Sequence, residues 1–155
     1  MEDYKTLIEQ AYKEAKVADY MAYVTSKLVK DKKLVISIME HMNKSFILSL
    51  NAYLTKERFF RRVPPVPAEP SLVIEMFFSE CAKSLNVETS LKIVMQTINR
   101  AVKAYSDRGI LLTKGEKYVF VSPNYELIDI KLDDVKKWLR QNITFVNMIR
   151  ERLNA

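Results

Sequence analysis

The side chains that most often carry catalysis or bind metals are scarce in this chain of 155 residues. It has one histidine, His41, and one cysteine, Cys81. A zinc site needs about four nitrogen, sulfur or carboxylate ligands, and a cysteine–histidine nucleophile pair needs both side chains exposed and adjacent. His41 lies on the flank of an apolar helical stripe and Cys81 lies among apolar residues, so the sequence predicts a structural role for each.

Two further kinds of site are excluded by the pattern of residues. The two glycines, Gly109 and Gly115, have no Gly-Lys-Ser/Thr sequence beside them, which a phosphate-binding P-loop requires. The chain also has no Glu-x-x-His pair of the kind that holds two iron ions in a helical bundle. We therefore predict a protein that is not an enzyme, with no catalytic residues, no metal and no cofactor.

One cluster of cations is suited to binding an anionic polymer, because aromatic side chains are interleaved with it. Arginine can hold phosphates while phenylalanine stacks on bases. The candidate nucleic-acid-binding residues are Lys56, Arg58, Phe59, Arg61 and Arg62. The alternative is that these cations stabilise the C-terminal end of a helix and that Phe59 or Phe60 belongs to the core. A second basic group, Lys136, Lys137 and Arg140, is predicted to be a solvated helix face.

The overall charge and the cysteine content narrow the class of protein. A net charge of +6 favours contact with polyanions such as RNA or DNA. A single cysteine excludes an internal disulfide and suits a reducing compartment.

No apolar run approaches the roughly 20 residues of a membrane span, and residues 1–5 lack the order of a signal peptide. We expect a cytoplasmic protein without membrane contact.

The elements that must position these residues begin with two long helices. Residues 3–62 contain no glycine and no proline, and apolar residues recur there in steps of three and four, as in a helix with one buried face. We predict helices at about residues 3–29 and 32–60, antiparallel, with Asp31 capping the second. Alanines 11, 15, 18 and 22 let a neighbouring helix approach closely. The second helix has a wide apolar face, which predicts either a central position in the bundle or contact with a second subunit.

The remaining segments predict a shorter helical group and a small insertion. Four prolines within residues 63–70 end the second helix and form a stiff extended strap across the bundle end, or alternatively a partner-binding peptide. We predict helices at residues 72–85, with Ser71 as N-cap, at 88–106 and at 133–154, and a β-hairpin at 110–121. The predicted fold is an all-α, up-and-down bundle of about five helices with a hairpin insertion, in a single domain that spans residues 1–155.

This order of elements resembles the HEPN superfamily, which is named for higher eukaryotes and prokaryotes nucleotide-binding. Residues 11–15 look like the first helix of that family, and residues 122–126 leading into 135–139 look like the approach to its last helix. Many members are ribonucleases, and some are toxins of toxin–antitoxin pairs. Their catalytic motif is an Arg followed, after about four to six residues, by a His. The motifs of two subunits are paired across a homodimer.

The motif that the resemblance would require for catalysis is missing. No histidine follows Arg100, Arg108 or Arg140 at that spacing, and an imidazole would have to exchange protons during RNA cleavage. The resemblance therefore implies a non-catalytic, homodimeric interaction module associated with nucleotides, nucleic acid or a protein partner. We expect the homodimer to form through the face of the second helix. A degenerate ribonuclease would instead depend on Arg100 or Arg108.

Overall fold

The computed structural model describes residues 3–23 and 31–154. In these ranges the chain forms five α-helices and one antiparallel sheet of three strands. The helices are α1 (Tyr4–Tyr23), α2 (Lys32–Phe59), α3 (Pro70–Glu80), α4 (Thr89–Ser106) and α5 (Leu132–Asn154). The strands are β1 (Ile110–Lys114), β2 (Lys117–Val121) and β3 (Leu127–Lys131). The prediction of a mainly helical bundle with a small β-element is confirmed.

The ends of the first two helices agree with the sequence as far as they are described. The predicted end of the first helix, residues 24–29, lies outside the described residues. Asp31 caps α2 as predicted, because its side chain accepts a hydrogen bond from the backbone N–H of Leu34 at 3.1 Å. α2 ends at Phe59, one residue before the predicted end.

The third helix differs from the prediction at both ends. Its N-cap is Glu69 rather than Ser71, and Pro70 occupies the first helical turn, where its missing N–H has no helical partner to lose. The helix stops at Glu80 and is followed by irregular turns. Asn86 closes these turns in the left-handed region, with φ of 57°, while Val87 N–H donates to the carbonyl of Ala82 at 2.9 Å.

The predicted hairpin is confirmed, but a third strand that the sequence reading missed extends it. β3 pairs antiparallel with β2, in the order β1-β2-β3. Ile128 and Ile130 are buried while the residues between and beside them are exposed, which is the period-two pattern of a strand with one buried face. A lone hairpin is marginally stable in water, and a third strand packed on helices removes that weakness.

Side-chain contacts between α1 and α2 establish that the two helices are antiparallel. The Ser45 hydroxyl donates to the Ala11 carbonyl at 2.8 Å, and the Ser37 hydroxyl lies 3.8 Å from the sulfur of Met21. Residues later in α1 therefore meet residues earlier in α2. This confirms the predicted antiparallel pair over the described part of the first helix.

The last helix runs in the same direction as α2. The Asn142 side chain of α5 donates to the Ser45 hydroxyl at 3.0 Å, and Lys56 Nζ lies 3.5 Å from the carbonyl of Leu153. Because α1, α3, α4 and α5 all contact α2, its wide apolar face is covered within one chain. Of the two predicted explanations, the central position accounts for that face.

A buried hydrogen-bonded chain joins the three longest helices. Asn142 of α5 donates to Ser45 of α2, which donates to the carbonyl of Ala11 in α1. Both polar side chains are fully buried. Ala11, Ala15 and Ala18 are all buried on α1, and the small side chain of Ala11 permits the close approach that the Ser45 hydroxyl needs. A hydrogen bond in such an interior is costly to break because the partner left behind stays desolvated.

We expect Ser45→Ala to destabilise the fold by about 1–3 kcal/mol, because it leaves the buried Asn142 amide without its acceptor. The measurement is urea unfolding followed by circular dichroism. Ser79→Ala is the matched control, since the exposed Ser79 hydroxyl bonds only to its own helix, at Met76. Equal stability of the two variants would contradict a structural role for the buried chain.

Candidate interaction surfaces

The five predicted nucleic-acid-binding residues lie together in the turn that ends α2, which we call the basic turn (residues 56–62). Arg61 adopts φ of 57°, a left-handed conformation usually taken by glycine at this position. Its N–H donates to the carbonyl of Arg58, and Arg62 N–H donates to that of Glu57, both at 2.9 Å. These two bonds form a Schellman motif, which satisfies carbonyls at the end of the helix.

Two cations of the basic turn bond to other parts of the chain. Lys56 reaches the carbonyl of Leu153 at the end of α5, and the Arg58 guanidinium donates to the carbonyl of Val63 at 3.2 Å. Cations are favoured beside the free carbonyls of a helix C-terminus. The Lys56 contact supports the alternative in which part of the cluster stabilises helix ends, whereas the Arg58 contact holds the chain that follows α2.

The other members of the basic turn remain at the surface. Arg62 forms an ion pair with Glu57 at 2.7 Å, and its guanidinium stacks 4.8 Å from the centre of the Phe60 ring. Phe59 and Phe60 are 75% and 51% exposed, so the prediction that one of them belongs to the core is wrong. The side chain of Arg61 forms no hydrogen bond or ion pair with any residue in the described ranges.

His41 links α1 to α2 at a half-buried position. Its Nδ1 atom contacts the carboxylate of Glu14, and the same carboxylate lies 3.5 Å from Lys44 Nζ. This is the partly buried structural setting that the helical spacing predicts. Its partner, Glu14, belongs to another helix, so no local spacing in the sequence could identify it.

Cys81 is a core residue, as predicted. It follows α3 and is only 4% exposed. Burial, together with the negative charges of Glu57 and Glu80, raises the pKa of its thiol from the usual 9.0 to about 11. The thiol therefore remains protonated near neutral pH, a state that is poorly nucleophilic.

The sheet buries one face and leaves the other uncovered by the rest of the chain. Leu111, Tyr118, Phe120, Ile128 and Ile130 are buried on the inner face. We call the opposite side the outer face; it consists of Ile110, Leu112, Lys114, Lys117, Val119, Val121, Leu127, Asp129 and Lys131. An antiparallel sheet commonly shows polar residues on its solvent side, but more than half of this face is aliphatic.

The strand register sorts the outer face into an apolar half and a basic half. Ile110, Val121 and Leu127 form one cross-strand row, and Leu112 and Val119 belong to the next. Ile110, Leu112 and Leu127 are each about half exposed, between 48% and 62%. Such a contiguous apolar patch on a surface is typical of an interaction site.

The basic half is a row of three lysines, Lys114, Lys117 and Lys131, each directly opposite the next. Like charges at directly opposed positions destabilise a sheet. None of the three forms an ion pair with another described residue. Sequence reasoning missed this lysine row because its members come from three strands, one of which was not predicted.

Comparison of the chain with models of known protein families, with curated proteins and with solved structures finds no match. Within residues 3–23 and 31–154, no three His, Cys, Asp or Glu side chains come together in a group that could hold a metal ion. None of the helices in the same ranges has the length and apolar character needed to cross a membrane.

We expect Cys81 to react with a thiol reagent at pH 7.5 at least about 100-fold more slowly in the folded chain than in urea, because a pKa raised by two units lowers the thiolate fraction about 100-fold. The measurement is the rate of colour release from a disulfide reagent. Because the folded pKa lies above the unfolded one, the thiol contributes stability below about pH 9 that is lost between about pH 9 and 11.

The control places the only thiol on the exposed side of α3, in the double variant Cys81→Ala and Ser79→Cys. That thiol should react nearly as fast in the folded chain as in urea. Rapid modification of Cys81 in the folded wild-type chain would contradict its core position.

Proposed function

We propose that this chain is a non-catalytic helical interaction module that docks through the outer face of its sheet, and that its first partner is a second copy of the same chain. The observation that carries the proposal is the apolar half of that face. Five aliphatic side chains lie there in neighbouring rows; Ile110, Leu112 and Leu127 are exposed, and Val119 and Val121 on the central strand are half-buried.

The layout of the outer face suits an interface between proteins. Stable interfaces have an apolar centre and a polar, solvated rim. The rows that contain Val119 and Val121 supply the centre, and the lysine row supplies the rim. No aromatic residue belongs to the outer face, so stacking of bases, the usual contribution of a sheet to RNA binding, does not explain its composition.

A homodimer through this face meets the demands of two-fold symmetry. In such an interface the residues near the axis contact their own counterparts. An axis through the apolar half brings valines against valines and leaves the two lysine rows at opposite ends, in water. The outer face thus offers an apolar surface for a homodimer.

We also propose that the chain is related to the HEPN superfamily. The order of an antiparallel helix pair, a second helical pair, an insertion and a closing helix supports it. Two observations support a module without catalysis. His41 is paired with Glu14, and the Cys81 thiol is buried and protonated. A cytoplasmic setting and a role beside a toxin–antitoxin or nucleotide-related system follow from the same relationship.

We expect light scattering to give twice the chain mass of 18.1 kDa for the wild type and the single mass for Leu112→Glu or Val119→Glu, because a buried unpaired carboxylate is strongly unfavourable at an interface centre. Ile93→Glu is the matched control, since Ile93 is an exposed apolar residue on α4, outside the sheet. The proposed dimer would be contradicted if the wild type were a monomer at high concentration. It would also be contradicted if Ile93→Glu lowered the measured mass as much as the sheet variants do.

Nucleic-acid binding by the basic turn is the second candidate function. The Phe59 ring packs against Phe60 but is 75% exposed, so it is accessible to a base. The neighbouring Arg61 guanidinium has no hydrogen bond or ion pair within the described chain. The bonded state of Lys56 and Arg58 leaves fewer cations for phosphates than the sequence suggests. This candidate therefore depends mainly on Phe59 and Arg61.

We expect Arg61→Gln to weaken any binding of a labelled single-stranded RNA and to reduce the salt slope by about 1, because each phosphate contact releases about one counterion. The measurement is fluorescence anisotropy between about 50 and 200 mM salt. Lys13→Gln on the exposed side of α1 makes the same charge change elsewhere. Equal losses in both variants would indicate only nonspecific attraction by net charge.

A further inference from the structure

A groove lies between the corner that joins α3 to α4 and one flank of α5. Its volume is about 590 Å³, within the range of small-molecule sites. Lys137, Gln141, Thr144 and Met148 of α5 line it at steps of three and four, so they share one side of the helix. The groove is separate from the outer face of the sheet and from the basic turn.

The floor of the groove is apolar. Leu91 from the first turn of α4 lines the groove together with Phe145 and Met148 of α5. Phe145 is buried, and the other two are half-buried. A floor of this kind can take the acyl chain or ring of a ligand out of water, which is the main source of affinity in small-molecule sites.

The rim of the groove is charged, and cations predominate. Lys137 and Arg140 line it and are both exposed, and neither forms an ion pair with another described residue. The single acid on the rim, Glu88, accepts a hydrogen bond from Ser90 at 3.2 Å. The groove therefore complements a ligand that carries one negative charge beside an apolar body.

Gln141 also lines the groove and carries a hydrogen-bond acceptor without a partner. The amide oxygen of Gln141 is shielded from solvent and meets no hydrogen-bond donor in the described residues. Lys137, Gln141 and Phe145 stand four residues apart on α5, so a cation, an acceptor and an apolar ring follow one another at steps of about 6 Å along the helix. Buried polar atoms normally have a partner.

We propose that this groove binds a small amphipathic carboxylate whose apolar chain is joined to the acid through an amide, as in an N-acylated amino acid. The carboxylate pairs with Lys137 and Arg140, and the acyl chain lies on the floor formed by Leu91, Phe145 and Met148. The half-buried Gln141 side chain, whose amide oxygen gives up no hydrogen bond when it moves, turns toward the groove and accepts from the amide N–H of the ligand. Each part of the ligand meets the complementary part of the groove in the order in which α5 presents them.

The test is titration calorimetry of the whole chain with N-octanoylglycine. We expect binding that weakens at least about tenfold for the uncharged N-octanoylglycinamide, because a charged hydrogen bond is lost. Octanoate, which has the charge but not the amide, is also expected to bind more weakly. Gln141→Leu should abolish the preference for N-octanoylglycine over octanoate, while it leaves binding of octanoate itself largely intact.

Matched variants locate the site. Lys137→Gln and Arg140→Gln should each weaken N-octanoylglycine severalfold, whereas Lys136→Gln, a neighbouring exposed lysine that does not line the groove, should not. Leu112→Glu on the sheet should also bind normally, so failure of the proposed dimer leaves this test intact. Absence of binding at millimolar ligand, or equal effects of the Lys136 and Lys137 variants, would overturn the proposal.

Discussion

Asn142, Ser45 and the carbonyl of Ala11 form the hydrogen-bonded chain on which the positions of the three longest helices depend. Apolar packing is non-directional, so on its own it tolerates a shift of one helix along another. A buried polar group with a single available partner does not tolerate that shift, and this is the best-attested use of such groups. The same register brings Lys56 at the end of α2 to Leu153 at the end of α5.

The scarcity of glycine shapes how the elements end. Arg61, Asn86, Arg108 and Tyr125 all adopt left-handed backbone conformations, which cost an ordinary residue roughly 1–2 kcal/mol. Gly109, in contrast, stands where a side chain has no room, since a Cβ there would lie 2.3 Å from a backbone oxygen of α4. Gly109 is thus required because packing leaves no room for a side chain. In contrast, the left-handed residues in the turns after α2, α3 and α4 are Arg61, Asn86 and Arg108 rather than glycine.

The residues at the ends of the helices and strands determine which parts of the fold could be predicted from the sequence. The helical repeat and the absence of breakers predict α1 and α2, and Asp31 marks the start of α2 correctly. The third helix was predicted to reach residue 85, just before Asn86, but it stops at Glu80 because residues 81–86 form turns that contain no glycine or proline to mark them. The left-handed turn residue Tyr125 is likewise a weak signal where glycine would be a strong one. β3 is also only five residues long, so its alternation is easily read as the approach to a helix.

The candidate surfaces also differ in how far the sequence alone could predict them. The basic turn is contiguous in sequence, so composition reveals it, although the bonds that occupy Lys56 and Arg58 do not follow from composition. The outer face and the groove are assembled from separate elements, and only strand register and helix packing bring their residues together. β3 continues into α5 without a loop, and Leu132 N–H bonds to the carbonyl of Glu116 in the hairpin turn. The sheet and the helix that lines the groove are therefore connected directly, with no loop between the two surfaces.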